Sequence, residues 1–121
     1  MIKRALIALS LLLFALEPAL AQRPGTYQVR GTVPNSSNTY EGRAEITAVS
    51  NAAFRVRWTI GDTITNGFGM RYENWFVVGY TSGGAQGVAA YWLDPATGVL
   101  NGLWSTDGLE GVGTEVLTPA R

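Results

Sequence analysis

Apolar and polar residues alternate along most of the chain after residue 26. In the first alternating run, Tyr27 and Val29 fall on one side of an extended backbone, while Gln28 and Arg30 fall on the other. Two further runs, at residues 40–48 and 54–60, repeat the pattern. Strict alternation is typical of strands with one buried face, because successive side chains of a strand point in opposite directions. The pattern therefore predicts half-buried β-strands.

The second and third runs also predict how their strands pair. Both place apolar residues at even-numbered positions, so a three-residue loop at residues 50–52 keeps the two apolar faces together, whereas a two-residue loop does not. This register sets Ala44 opposite Trp58. The next two residues, Gly61 and Asp62, suit a tight turn that sets Trp58 opposite Thr65. Large inward residues therefore face small ones.

Four more strand segments are predicted near residues 75–81, 86–93, 99–104 and 113–118, with short turns between them. No segment after residue 21 has helical periodicity, and no linker divides this part of the chain. The sequence thus predicts one all-β domain over residues 22–121, a small antiparallel up-and-down barrel of about eight strands. A β-sandwich is the alternative, because it uses the same alternation.

Residues 1–21 have the three parts of a secretory signal peptide. Lys3 and Arg4 supply positive charge, an apolar run broken only by Ser10 follows, and Ala19 and Ala21 occupy the two positions that signal peptidase reads. The apolar run is too short to cross a membrane as a helix. We therefore expect an exported protein, periplasmic or secreted, with no integral membrane segment in its mature chain.

The composition argues against catalysis. The chain has no histidine and no cysteine, and its only lysine lies in the predicted signal peptide. These are the side chains that most often transfer protons or form covalent intermediates near neutral pH. The turn residues Asp62, Asp94 and Asp107 are too scattered to predict a metal site. We therefore expect a non-enzymatic protein with no cofactor.

The charge balance excludes another class of partner. After residue 21, seven arginines stand against eight carboxylates, a formal net charge of −1. Nucleic acids and anionic membranes require a concentrated basic surface. The sequence therefore predicts no nucleic-acid partner.

The fifth and sixth strand segments are apolar on both faces. If one face fills the barrel, the other presents Val88, Ala90 and Trp92 to the outside, beside Val77. Such a stripe is typical of a surface that binds a protein partner or a second copy of the chain. Alternatively, a loop, a terminus or the second layer of a sandwich covers it. We interpret the chain first as an exported binding or interaction module that uses this stripe.

Inward aromatic residues predict a second kind of site. Barrels of about eight strands can hold one small ligand between their inward side chains. Tyr27, Phe54, Trp58 and Tyr91 are the candidates to line such a cavity, which would make the protein a carrier of a small hydrophobic ligand. A third alternative is an inhibitor of an extracellular enzyme, with a protruding loop at residues 35–38 or 82–85.

A set of spaced residues runs through nearly the whole predicted domain. It comprises Gly25-x-Tyr27-x-Val29-x-Gly31, Pro34, Tyr40-x-Gly42, Phe54-x-Val56-x-Trp58-x-Ile60-Gly61, Gly79-Tyr80, Gly87-Val88, Leu100-x-Gly102-x-Trp104 and Gly111-x-Gly113-x-Glu115-x-Leu117. As a set, these positions resemble small exported bacterial proteins labelled fibronectin-binding proteins. Val33 departs from the family pattern, in which an Asn precedes the proline. The resemblance implies a shared fold and a matrix-protein partner, for which the outer stripe is the first candidate.

Overall fold

A computed structural model describes residues 23–120, which form eight strands and no helix, hence none long and apolar enough to cross a membrane. The strands are β1 (Gly25–Thr32), β2 (Thr39–Ala48), β3 (Ala53–Ile60), β4 (Thr63–Tyr72), β5 (Trp75–Ser82), β6 (Ala85–Leu93), β7 (Leu100–Thr106) and β8 (Gly113–Pro119). Each strand pairs antiparallel with the next, and β8 pairs with β1, which closes a barrel. The predicted barrel is confirmed and the sandwich alternative is wrong, because one closed sheet has no second layer. The predicted signal peptide, residues 1–21, lies outside the described residues.

The strands pair in the register that the alternation predicts. Ala44 lies opposite Trp58 in the β2–β3 ladder, and Trp58 lies opposite Thr65 in the β3–β4 ladder. The β3–β4 turn consists of Gly61 and Asp62, and Gly61 has a φ of 59°, which glycine adopts without a steric penalty. A one-residue slip would turn every buried ring to solvent, so the inner apolar residues fix this register.

The two ends of the barrel differ in how they are filled. At the packed end, where β1 begins and β8 ends, buried apolar side chains fill the interior. Phe54 and Phe76 meet edge to face there with ring centroids 5.7 Å apart, and Leu100 and Leu117 are inaccessible to solvent. At the open end, the strands are joined by the turns that follow β1, β3, β5 and β7. The interior near these turns is lined mainly by tyrosine, tryptophan and threonine side chains.

Glycines on the inner face make room for the large rings of the open end. Four of them lie directly opposite an aromatic residue on the neighbouring strand: Gly31 opposite Tyr40, Gly87 opposite Tyr80, Gly102 opposite Tyr91 and Gly113 opposite Trp104. A methyl group at any of these glycines would overlap the ring that it faces. The pairing therefore lets each ring lie flat against the barrel wall, and the centre of the open end is left unfilled.

Candidate functional site

The unfilled centre of the open end is a cavity of about 260 Å³. It is lined by side chains from all eight strands or their adjoining turns: Val33, Tyr40, Trp58, Ile60, Thr63, Thr65, Tyr80, Ser82, Ala89, Tyr91, Trp104, Thr106 and Glu115. Apolar and aromatic groups form most of this lining, and its threonine and serine residues lie close to the strand ends near the rim. We call it the open-end cavity.

A buried carboxylate lies on the inner wall of the open-end cavity. Glu115 lies near the start of β8, and 6% of its surface is exposed. Among residues 23–120 it is the one charged residue that is buried. Tyr40 Oη donates a hydrogen bond to its Oε1 at 2.7 Å, and Oε2 accepts two, from Trp58 Nε1 at 2.8 Å and Tyr91 Oη at 2.6 Å. Three strands other than β8 therefore hold this carboxylate in one orientation.

The tyrosines around Glu115 stay protonated over a wide pH range. Burial, followed by the charge of Glu115, raises the pKa of Tyr91 well above its ordinary value, and the same causes raise the pKa of Tyr40. Burial also raises the pKa of Tyr80. A phenol beside a carboxylate in a poorly solvated site is disfavoured as an anion, since both effects oppose a second negative charge. At neutral pH, Tyr40 and Tyr91 are therefore hydrogen-bond donors to Glu115.

Two aromatic pairs form the walls above the carboxylate. Trp58 and Tyr80 meet edge to face with centroids 5.7 Å apart, and Tyr40 and Trp104 do so at 6.2 Å. The Tyr80 hydroxyl also forms a hydrogen bond with the hydroxyl of Thr106 at 2.7 Å, which fixes that ring. Pairs with this geometry are mutually stabilising, so the cavity walls are preformed.

The structure separates the four predicted cavity residues into two groups. Trp58 and Tyr91 line the open-end cavity and both contact Glu115. Tyr27 and Phe54 lie in the hydrophobic core near the packed end, where Tyr27 Oη donates to the Arg23 carbonyl oxygen at 2.6 Å. Inward direction alone could not distinguish the two ends, because all four residues obey the same alternation.

Glu115 was missed by the sequence reasoning, although a signal for it exists. Gly113, Glu115 and Leu117 fall on one face of β8, and all three are buried. Leu117 and the alternation together place Glu115 inside the barrel. A carboxylate at an inward strand position is rare enough to mark a candidate site on its own.

Apart from the cavity, the barrel has an apolar area on its outer surface, on strands β4–β7. Val77, Val88 and Trp92 are exposed there as predicted, and Ala90 is half-buried between neighbouring side chains. The area extends beyond the predicted stripe, because Phe68, Met70, Tyr72, Trp75 and Leu103 are also exposed. Cross-strand pairing makes it continuous: Met70, Val77, Ala90 and Leu103 form one row across four strands, and Tyr72, Trp75 and Trp92 form another. We call these nine residues the outer apolar face.

The two loops that were predicted to protrude are short in one case and held by a hydrogen bond in the other. Ser82 and Ala85 are the last and first residues of β5 and β6, so only Gly83 and Gly84 connect the strands. In the β1–β2 turn, Asn35 Nδ2 donates to the Glu110 carbonyl oxygen at 3.0 Å, which links this turn to the β7–β8 loop. Within residues 23–120, no cluster of three or more potential metal-binding side chains occurs.

Comparisons with known proteins give a likeness in fold. No family model and no curated protein matches the chain. A redesigned β-barrel is similar with a TM-score of 0.70 and 21% identity over 86% of this chain and 94% of that one. A de novo designed fluorescence-activating β-barrel has a TM-score of 0.66 and 14% identity over 84% and 97%. The redesigned β-barrel mFAP0, bound to DFHBI, has a TM-score of 0.65 and 19% identity over 83% and 98%. The chain is thus a closed barrel of the same architecture as these designed proteins.

Proposed function

We propose that this protein is a non-enzymatic carrier that binds one small, largely apolar molecule in the open-end cavity. The observation that carries this proposal is a preformed cavity of about 260 Å³ with five aromatic side chains in its lining. Ligand sites in proteins are concave and mostly apolar, with a few fixed polar groups, and this cavity has that character. The similar designed barrel mFAP0 is bound to DFHBI, and this supports the proposal because a barrel of the same architecture can bind a small molecule.

The size of the cavity limits the ligand. A volume of about 260 Å³ lies just below the range typical of drug-sized ligands, roughly 300–1,000 Å³. A molecule with one ring and a short chain fits this space better than a polycyclic or long-chain molecule. Its binding would bury apolar surface against Trp58, Tyr80 and Trp104, and the hydrophobic effect would supply most of the affinity.

Binding without turnover agrees with the side chains around the cavity. Its lining contains no histidine, cysteine or lysine, and Glu115 already accepts three hydrogen bonds from neutral donors. A carboxylate held in this way can fix the position of a polar group of the ligand. We further propose that the carrier is exported, as its predicted signal peptide implies, and that it collects or retains its ligand outside the cytoplasm.

A pair of adjacent alanines on β6 tests the proposal. Ala89 is buried and lines the cavity, whereas Ala90 belongs to the outer apolar face. We expect calorimetric titration to show 4-phenylbutan-1-ol binding to the wild type and equally to Ala90→Leu, because Ala90 does not line the cavity. Ala89→Leu fills the cavity floor and should weaken binding by about tenfold or more. Equal binding by both variants, or no binding by the wild type, would contradict a carrier function at this site.

A second candidate function rests on the outer apolar face. Eight of its nine members are large hydrophobic residues that are at least 43% exposed, a continuous area of a kind that monomers seldom present to water. Trp75 and Trp92 pack edge to face within it at 4.9 Å, and tryptophan is enriched at binding hot spots. We propose that this face docks a protein, and the resemblance to fibronectin-binding proteins suggests a matrix protein as the partner.

Surface plasmon resonance with immobilised fibronectin tests this second candidate. A charge within the face, in Trp92→Asp, should abolish the signal, whereas Thr47→Asp on the exposed face of β2 should retain it. Size-exclusion chromatography of the same variants shows whether the face instead joins two copies of the chain. Wild-type protein that neither binds fibronectin nor dimerises would contradict a docking role.

A further inference from the structure

We propose that the open-end cavity selects ligands that carry a positive charge, most simply a protonated amine attached to a small apolar body. The proposal rests on the carrier function and specifies its ligand class. It follows from three observations: a carboxylate in the cavity wall, no cationic side chain in the lining, and aromatic rings beside the carboxylate.

Within residues 23–120, the carboxylate of Glu115 forms no ion pair. Its three hydrogen-bond partners, Tyr40, Trp58 and Tyr91, are neutral donors. The ion pair found among residues 23–120, between Arg30 and Glu41, lies on the exposed outer surface. A buried charge without an opposite charge is costly, and a ligand that brings the missing charge relieves that cost.

The hydrogen-bond pattern leaves capacity for a further donor. A carboxylate can accept about four hydrogen bonds, two on each oxygen. Among the residues that the structure describes, Oε2 of Glu115 accepts two hydrogen bonds, but Oε1 accepts only the one from Tyr40. An ammonium group could occupy the remaining position on Oε1, and a hydrogen bond between two charged groups is roughly twice as strong as one between neutral groups.

The walls suit the same ligand class. Trp58, Tyr80, Tyr40 and Trp104 line the cavity beside the carboxylate. The faces of tryptophan and tyrosine rings attract cations, and the attraction grows where water is excluded. An anion can neither donate a charged hydrogen bond to Glu115 nor gain attraction from the ring faces, and the carboxylate repels it. The cavity should therefore reject anions. A neutral molecule keeps only the apolar contacts.

Three ligands with one carbon skeleton separate these contributions. The probes are 4-phenylbutylamine, 4-phenylbutan-1-ol and 4-phenylbutyrate, titrated by calorimetry at pH 7 into the whole mature protein. We expect the amine to bind at least about tenfold more tightly than the alcohol, in line with the strength of hydrogen bonds to charged groups, and the butyrate to show no binding.

Two isosteric variants place the charge preference at one residue. Glu115→Gln removes the charge and keeps the size, so amine and alcohol should bind with similar affinity. Glu45→Gln removes an exposed carboxylate from the outer face of β2 and should retain the preference for the amine. Circular dichroism establishes that each variant is folded; if Glu115→Gln does not fold, the comparison of the three probes with wild-type protein still decides the question.

The outcomes distinguish the two proposals. Equal binding of amine and alcohol by the wild type would overturn the charge preference and leave the carrier function standing. Binding of none of the three probes would overturn both. An amine preference that persists in Glu115→Gln would also overturn the assignment, because some other group would then supply the negative charge.

Discussion

Removing one hydroxyl group beside Glu115 tests whether its hydrogen bonds stabilise the barrel. Tyr91 is almost completely buried, and its hydroxyl donates to Glu115 Oε2 at 2.6 Å. Tyr91→Phe deletes this donor and keeps the ring, which stacks on Phe76 with centroids 6.1 Å apart. We therefore expect a loss of stability that comes from the polar interaction and not from packing.

The structure gives the expected size of the loss. A hydrogen bond to a charged group contributes about 1.5–3 kcal/mol, and water does not readily replace a donor at a position that is only 1% exposed. We predict that Tyr91→Phe lowers the free energy of unfolding by about 2 kcal/mol. For a domain of this length, that corresponds to a fall in melting temperature of roughly 8–16 °C.

Urea denaturation followed by circular dichroism measures this change, with Tyr40→Phe as the matched control. Tyr40 donates to the other oxygen of Glu115 but lies half-buried nearer the rim, where water can replace its hydroxyl. Its removal should therefore cost less than that of Tyr91. A stability for Tyr91→Phe within about 0.5 kcal/mol of the wild type would refute the view that these bonds support a buried charge.

Two further predictions concern stability. Burial raises the pKa of Tyr40, Tyr80 and Tyr91 above the value of 10.0 that applies in the unfolded chain. As the pH rises, the unfolded chain therefore releases these protons before the folded protein does. The contribution of the protonated phenols to the free energy of unfolding is fully present below pH 10 and is lost as the pH rises above it. An unchanged urea midpoint between pH 9 and pH 11 would contradict the burial of these phenols. A methyl group in Gly102→Ala would overlap the Tyr91 ring and should cost about 1–3 kcal/mol, whereas Gly79→Ala, which meets no atom within 4 Å, should leave thermal stability unchanged or higher.

The strand pattern and the register could be predicted because both depend on local alternation. The even-numbered apolar residues of β2 and β3 exclude a register shifted by one residue. The three-residue loop at residues 50–52 then sets Ala44 opposite Trp58, and the structure has that pairing. A barrel was predicted from the number of short antiparallel strands, with a sandwich as the alternative, and the structure is a closed barrel. The resemblance to fibronectin-binding proteins suggested a partner, which remains a prediction.

The candidate site was harder to predict because it depends on which end of the barrel each inward residue occupies. Trp58 and Phe54 lie on the same strand face, yet one contacts Glu115 and the other packs in the core. The sequence reasoning treated Glu115 as one of the charged residues of the chain and as one position of the family pattern, and it did not apply the alternation of β8 to this residue. The outer apolar face was underestimated for a related reason, since its continuity comes from pairing between β4, β5, β6 and β7.

The four tryptophans provide the most direct test of ligand binding in the open-end cavity. Trp58 and Trp104 line the cavity, whereas Trp75 and Trp92 belong to the outer apolar face. In a ¹⁵N-labelled sample, each indole N–H gives a separate signal that can be followed during a titration with 4-phenylbutylamine. We predict shifts for Trp58 and Trp104 and none for Trp75 and Trp92. Shifts confined to Trp75 and Trp92, or to no tryptophan, would contradict a ligand site inside the barrel.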